Sequence, residues 1–309
     1  MNKIITIQAD PIEKINPKTD TTLLLALEAQ RRNCKIYWYE TKDVSFINSK
    51  LIANIKEVKL FNNKKKYFKI MKRKKFDLSN SKFILIRQNP PFNMDYINST
   101  LLLDTIKTKT KILNNPESVR NISEKLFSIN FMDLMPPTIF TKNINEIKNF
   151  FKKYNKIVLK PINGYAGKNI YFINKKFNQN NIEKYLKKTG HVLVQKFLPS
   201  IKNGDKRVFI INGKVMGAIK RIPSKNSILS NLSQGGTAFK TNLNKSEKIL
   251  SNKVAKVLIK NDIYFAGIDL VSGKLIGDIN VTSPTGLPQY KELTGINLAE
   301  NFWNYLGLK

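Results

Sequence analysis

Apolar positions fall into short continuous runs that alternate with stretches of helical period. Residues 3–8, 35–39, 82–86 and 111–113 are short apolar runs, which read as strands. Between them, residues 20–32 and 94–107 carry apolar residues at helical spacing. Thr19 or Asp20 is placed to cap the first of these helices, with Leu24, Leu27 and Leu23 on its inner face. Strands alternating with helices predict an α/β layer with a mostly parallel sheet over the first 120 residues. Arg87-Gln88-Asn89-Pro90-Pro91 closes the third of these strands, at the end where open α/β sheets bind ligands. Arg87 reads there either as a ligand contact or as a surface ion pair.

A second pattern starts near residue 121. Residues 123–130 read as a short helix carrying Lys125, and the Pro136-Pro137 pair separates it from the next segment. A helix over 145–154, strands over 156–160 and 169–173, and a strand over 191–198 complete a unit spanning 121–198. Lys160 precedes Pro161 and is biased to an extended conformation. The segment between the first two of these strands, Asn163-Gly164-Tyr165-Ala166-Gly167, can lay backbone N–H groups over phosphates, or serve as an ordinary turn. It is not a Walker loop, since GxxxxGK[ST] is absent. His191, the one histidine, reads as structural.

The third pattern, over 199–309, is built of hairpins. Strands 207–211 and 215–221 flank Asn212-Gly213, a strong two-residue hairpin signal, so Arg207 and Arg221 share a small sheet. Ser246 can cap a helix to residue 260 with Leu250, Val254, Val257 and Leu258 inward. Residues 227–236 are polar and read as a mobile loop. In the stretch FAGIDLVSGKLIGDINVTSPTG, residues 265–286, two apolar runs flank Ser272-Gly273. An uninterrupted hairpin register sets Val271 opposite Lys274, Leu270 opposite Leu275 and Asp269 opposite Ile276. Asp269, Ile276, Asp278 and Asn280 then share one face. The two carboxylates become diagonal neighbours about 7–8 Å apart, which suits a shared hard cation such as Mg²⁺. The alternative is a solvated hairpin face.

Composition narrows the picture in three ways. The chain has 309 residues, 41% of them apolar, so it can bury a sizeable core and holds two or three units. Its single cysteine, Cys34, excludes an internal disulfide and fits a reducing cytosol. Residues 1–11 carry no signal-peptide core, and no apolar run reaches about 18 residues, so the expectation is a cytoplasmic protein without a membrane span. The net charge of +32 would attract a polyanion. Its lysines are scattered through every segment, with no basic helix or aromatic-interleaved stripe. That spread reads as a global amino-acid bias, and no specific nucleic-acid partner is expected.

Several motifs in order carry a resemblance: Lys125, LKPxxGxxG at 159–167, GDKR at 204–207, RIP at 221–223, NLxxGG at 231–236, and GIDL followed by DINVTSPTG at 267–286. The chain resembles the ATP-grasp superfamily, and within it the bacterial glutathione synthetases. The segments at 10–32, 87–92 (RQNPPF) and 114–127 (NNPESVRNISEKLF) extend the likeness to nearly the whole length. The resemblance implies an ATP-grasp fold of α/β and α+β character, preceded by a Rossmann-like α/β N-terminal domain. The implied units are a substrate domain over 1–120, a lid domain over 121–198 and a metal- and substrate-bearing domain over 199–309.

It implies ligation of γ-glutamylcysteine and glycine to glutathione through an acyl phosphate, with ATP as co-substrate. Two Mg²⁺ ions, replaceable by Mn²⁺, would be held by Asp269, Asp278 and Asn280. Lys125, Lys160, Gly164, Gly167, Gln195, Lys196, Leu198 and Asp205 would bind ATP, with residues 195–198 forming the hinge for adenine. Arg207 and Arg221 would stabilise the transferring phosphoryl group and the oxyanion. Arg87, Asn231, Ser283 and Thr285 would bind the peptide. A homo-oligomer, dimer or tetramer, is implied as well. The family usually has Glu at the position of Asp278 and Asp at that of Asn89, a basic residue near Leu229 and Ser230, and an Arg-Glu pair near Pro288 and Gln289. Another peptide or amino-acid ligase, or a nucleotide-gated polyanion-binding protein, are the competing readings.

Overall fold

The computed structural model describes residues 3–63, 65–224, 230, 232 and 235–309. Three sheets organise them, each built from consecutive strands. In the first, β1 (Ile4–Gln8) runs parallel to β2 (Lys35–Tyr39) and β6 (Phe83–Ile86), and β6 runs parallel to β7 (Lys111–Leu113). That is the expected parallel core. It is extended by three antiparallel strands the sequence reading missed: β3 (Val44–Ile47), β4 (Lys50–Leu60) and β5 (Phe68–Asp77). In β4 the period-two signal is present, with Leu51, Ala53 and Ile55 buried. Lysines on both faces of β5 hide it there. The basic run of Lys72, Arg73, Lys74 and Lys75 therefore lies on an outer strand, where charge blunts an open edge. Lys74 Nζ donates to Tyr37 Oη at 2.8 Å.

Helix α1 (Thr21–Arg31) starts at Asp20, whose Oδ1 accepts from Leu23 N at 2.7 Å. Its buried face is Leu23, Leu25, Ala26 and Ala29. Leu24 and Leu27 only flank the core, so the observed face is rotated from the expected one. Helix α2 (Met94–Asp104), capped by Asn93, stops three residues short of the expected end, and α3 (Pro116–Asn121) follows.

The second sheet has the order β10-β9-β11-β8, all antiparallel: β8 (Thr138–Thr141), β9 (Ile157–Pro161), β10 (Tyr171–Ile173) and β11 (Val192–Lys196). Helices α4 (Ile144–Tyr154) and α5 (Gln179–Thr189) cover one face, burying Ile147, Phe150, Ile182 and Leu186 against Ile157, Leu159, Val192 and Val194.

The third sheet runs β14-β13-β12-β15-β16: β12 (Asp205–Ile211), β13 (Lys214–Ile222), β14 (Thr237–Lys240), β15 (Phe265–Val271) and β16 (Lys274–Asn280). Asn212 and Gly213 have φ of 51° and 69°, and Ser272 and Gly273 have 48° and 72°, the left-handed pairs a tight hairpin requires. Helix α6 (Lys245–Lys260) packs Leu250, Val254, Ala255 and Leu258 into the core. Its cap is Asn244, in a reciprocal box with Glu247, rather than Ser246, and Val257 is only partly buried. Helices α7 (Leu287–Thr294) and α8 (Leu298–Asn304), unread in the sequence, return to the first unit. There Trp303 Nε1 donates to Leu25 O at 2.9 Å. Asn114 ties the first sheet to the third: Phe265 N donates to its Oδ1, and its Nδ2 donates to Phe265 O and Val281 O. Among the described residues no helix is long and apolar enough to cross a membrane.

Candidate functional site

A cleft of about 960 Å³ opens between the second and third sheets. Lys125, Lys160, Gly164, Gly167, Gln195, Lys196, Leu198, Asp205, Arg221, Asp269, Asp278 and Asn280 all line it. The floor is a charged array set by strand register. Across β12 and β15, Arg207 sits opposite Asp269; across β12 and β13, Asp205 sits opposite Arg221. An unbroken hairpin through Asn212-Gly213 would put Arg221 on the other face of the sheet. A one-residue bulge beside Phe209 and Ile210 shifts the register and turns Arg221 inward.

The resulting contacts are short. Arg207 holds Asp269 by two bonds, at 2.5 and 2.9 Å, and Arg221 holds Asp205 likewise, at 2.8 and 2.5 Å. Arg221 also reaches Asp269 at 3.0 Å. All four side chains are nearly inaccessible to solvent. Burial works against ionising Asp269, but the two guanidinium groups outweigh it and hold its carboxyl far below the usual range. Burial likewise opposes the charge on Arg221, and Asp269 and Asp205 outweigh it and raise its pKa.

A second charged group lies beside the first. Lys160, near the end of β9, places Nζ 2.8 Å from Asp278 Oδ2 and donates to Ile276 O at 2.8 Å. Lys125 Nζ lies 3.5 Å from Asp278 Oδ1 and donates to Gly164 O at 2.5 Å. Burial opposes ionisation of Asp278, yet the ammonium groups of Lys160 and Lys125 prevail and lower its pKa. Lys125 does not sit on the expected helix. It immediately precedes a short turn of tight helix over Leu126–Leu134, in a break after α3.

The hairpin register is also corrected. Leu270–Leu275 and Val271–Lys274 pair as expected, but the ladder then slips, with Ile268 opposite Ile279 and Gly267 opposite Asn280. Three residues, 276–278, therefore face Asp269 alone. Because the slip is two residues, Ile276, Asp278 and Asn280 keep the common face. Gly277, at φ 85°, makes the bend; a Cβ there would come within 2.5 Å of Leu193 Cδ1 and 3.1 Å of Met135 Cε.

Asp269, Asp278 and Asn280 present oxygen donors only. Asn280 Nδ2 is spent on Gly267 O, which leaves its Oδ1 for the cleft. Two carboxylates and an amide oxygen fit a hard divalent cation such as Mg²⁺. Cationic side chains neutralise both carboxylates here.

Arg87, Ser283 and Thr285 lie apart from this cleft. Arg87 is buried at 7% exposure, donating to Thr22 Oγ1 and Pro284 O, both at 3.0 Å. No carboxylate of the described residues lies within ion-pair distance of it, and burial pushes its pKa down to about 10. Ser283 Oγ donates to Gln88 O at 2.8 Å, and Thr285 O accepts weakly from Arg207 at 3.5 Å. The Arg87–Pro284 and Ser283–Gln88 contacts join the end of β6 to the segment after β16. Asn231 and the motif position Leu229 lie outside the described residues, as does most of the loop read as mobile. His191 is exposed, and its carbonyl accepts from Ile162 N. Gln195 and Lys196 belong to β11 itself, so the inter-unit connection starts at Phe197.

Sequence reasoning missed Glu124 and Lys168, which also line the cleft. Glu124 was visible only as the neighbour of Lys125.

Two family models match the chain. The prokaryotic glutathione synthetase N-terminal domain covers residues 4–120, and the prokaryotic glutathione synthetase ATP-grasp domain covers 124–295. The chain is 35% identical over 308 residues to the glutathione synthetase of Bradyrhizobium diazoefficiens, spanning 99% of this chain and 98% of that one. It is 38% identical over 297 residues to the glutathione synthetase of Buchnera aphidicola subsp. Baizongia pistaciae, spanning 94% and 91%. A solved structure of D-cycloserine synthetase aligns with a TM-score of 0.68 at 12% identity, over 99% of this chain and 100% of that one, a likeness of fold alone.

Proposed function

The chain belongs to the prokaryotic glutathione synthetase family, an ATP-dependent ligase of ATP-grasp fold behind an α/β N-terminal domain, and on that premise we propose how its residues share the reaction. The substrates are ATP, γ-glutamylcysteine and glycine. The dipeptide carboxylate attacks the γ-phosphorus of ATP, giving ADP and an acyl phosphate. The glycine amine then attacks the acyl carbon, loses a proton and expels phosphate.

The observation that carries the assignment is the convergence of Lys125 and Lys160, from two different elements, on Asp278 in one cleft. Ion pairs of this kind are exchangeable: the ammonium groups turn to the ATP phosphates, and the carboxylate to a cation. Asp269, Asp278 and Asn280 would hold Mg²⁺, as two ions and replaceable by Mn²⁺, which would supply positive charge for the phosphates. Arg221, clamped by Asp205 and Asp269, keeps a fixed positive charge for the transferring phosphoryl group, and Arg207 supports it from behind Asp269. Residues 164–167 act as a lid that keeps water from the acyl phosphate. Gln195, Lys196 and Leu198 line the adenine end, with Asp205 towards the ribose. Arg87, Asn231, Ser283 and Thr285 serve the peptide.

This reading divides the chain at about residues 120 and 198. It extends to a cytoplasmic homo-oligomer, a dimer or tetramer. The test is a matrix of dipeptides and amino acids scored by ADP release. γ-Glutamylcysteine with glycine should give turnover that neither gives alone. Equal or faster turnover with an unrelated pair would reassign the substrates within the same fold.

A further inference from the structure

Beside the ATP cleft lies a small recess, between the first unit and the glycine loop. Its walls include Pro90, Phe92, Ile122, Ile162 and Tyr165, and Glu124 is its only charged lining residue among the described residues. Glu124 also lines the ATP cleft, so it stands where the two spaces meet. An apolar pocket with one carboxylate and no cation favours a cationic group and repels an anionic one.

The two carboxylate oxygens of Glu124 are not equivalent. Oε1 accepts from Val281 N at 3.0 Å, Thr282 N at 3.2 Å and Thr282 Oγ1 at 2.8 Å. The backbone carbonyl of Glu124 accepts from Ile279 N at 3.0 Å. Residues 279 and 281 point their N–H groups off the outer edge of β16, a strand paired only with β15, and Glu124 satisfies both. It therefore pins the segment that carries Asn280 and follows Asp278. Oε2 has no hydrogen-bond partner among the described residues. One oxygen holds the fold, and the other keeps a charge-bearing lone pair available.

We propose that Glu124 forms the ammonium subsite for an amine-bearing substrate in this side recess, Oε2 receiving the N–H groups while Oε1 holds residues 281 and 282. The proposal rests on the ligase reading, in which both γ-glutamylcysteine and glycine carry an ammonium group. The chemistry is common to the two, and kinetics separates them.

Glu124→Gln is the informative variant. Its amide oxygen can replace Oε1 towards residues 281 and 282, while the charge at Oε2 is lost. Steady-state ADP release is measured while varying γ-glutamylcysteine, glycine and ATP in turn. The expected result is a rise of about 10- to 100-fold in KM for one amine substrate, with KM for ATP within about twofold of the parent. Which KM rises identifies the ammonium: glycine marks the acceptor, γ-glutamylcysteine the donor. Glu124→Ala should add a fall in kcat, because it also releases residues 279–282. Two outcomes would overturn the subsite: parent-like KM values for both amines in Glu124→Gln, or equal losses for amines and ATP. A parent enzyme that releases no ADP with this pair would defeat the substrate assignment instead, and is distinguishable because it is read without any variant.

Discussion

Replacing Asp278 by Asn tests the ionic logic of the cleft, because it removes one charge at nearly constant shape. In the parent, Asp278 is 2.8 Å from Lys160 Nζ and 3.5 Å from Lys125 Nζ, with side-chain exposures of 24%, 9% and 7% respectively. Breaking a fully buried pair costs about 3–5 kcal/mol. Here a quarter of the carboxylate is wet, Lys160 keeps Ile276 O and Lys125 keeps Gly164 O. The loss of stability should then be about 1–3 kcal/mol. Because the folded pKa of Asp278 is depressed, its contribution is full above the unfolded value near about 4 and is lost as pH falls through the folded value. The melting difference between parent and variant should therefore narrow in acid.

Two further readouts move in opposite directions. Without metal, ATP should bind the variant at least as well as the parent, since two ammonium groups are released to the phosphates. With saturating Mg²⁺, ligation should fall at least about 100-fold, given that even outer-shell changes at metal sites cost roughly 10- to 100-fold. Asp278→Glu should retain turnover. Calorimetric titration of a non-hydrolysable ATP analogue, with EDTA and with Mg²⁺, is read beside ADP release. Parent-level ligation by Asp278→Asn would refute the metal assignment. Loss of metal-free nucleotide binding would refute the exchange of partners.

Arg87→Met should leave the fold as stable or raise its stability by up to about 2 kcal/mol, because a buried cation without an ionic partner is replaced by an apolar chain of similar length. The same variant should raise KM for the dipeptide; a clear drop in melting temperature at pH 6–9, below the folded pKa of about 10, would refute the stability claim, and a parent-like KM the binding role. Residues 164–167 should exchange amide hydrogens quickly without nucleotide and slowly with an ATP analogue, and Lys125→Met should speed exchange in the free enzyme by removing the bond to Gly164 O. Equal protection in both states would make the loop an ordinary turn. The Glu124→Gln kinetics complete the set.

How much of this was legible in the sequence depended on whether a local rule sufficed. Asn212-Gly213 and Ser272-Gly273 announced their hairpins through residue type alone, and both adopt the left-handed angles required. The shared face of Ile276, Asp278 and Asn280 came from strand alternation and survived a register slip, because the slip was even. The Asp205–Arg221 pairing depends on an odd bulge whose one residue-type mark is Gly217, at φ 152° within β13, which the sequence reading took as ordinary strand. Strand β5 was lost behind lysines on both of its faces, whereas β3 and β4 were missed although β4 carries the period-two pattern. Helix α1 was found with Leu23 inward as expected, but Thr21 to Ala26 is an unbroken run of apolar or β-branched residues, and packing against α7, α8, β2 and β4 selects the rest of its face. Glu124 was invisible as a functional residue, because its partners lie more than 150 residues away.

The central claim is that ATP activates the substrate carboxylate before the amine attacks. It is tested most directly by labelling the cysteinyl carboxylate of γ-glutamylcysteine with heavy oxygen and analysing the released phosphate by mass spectrometry during turnover with glycine. An acyl phosphate transfers one substrate oxygen to each phosphate, so label should appear in phosphate in step with peptide formed. Unlabelled phosphate released alongside labelled peptide would contradict the mechanism and the reading of the cleft built on it.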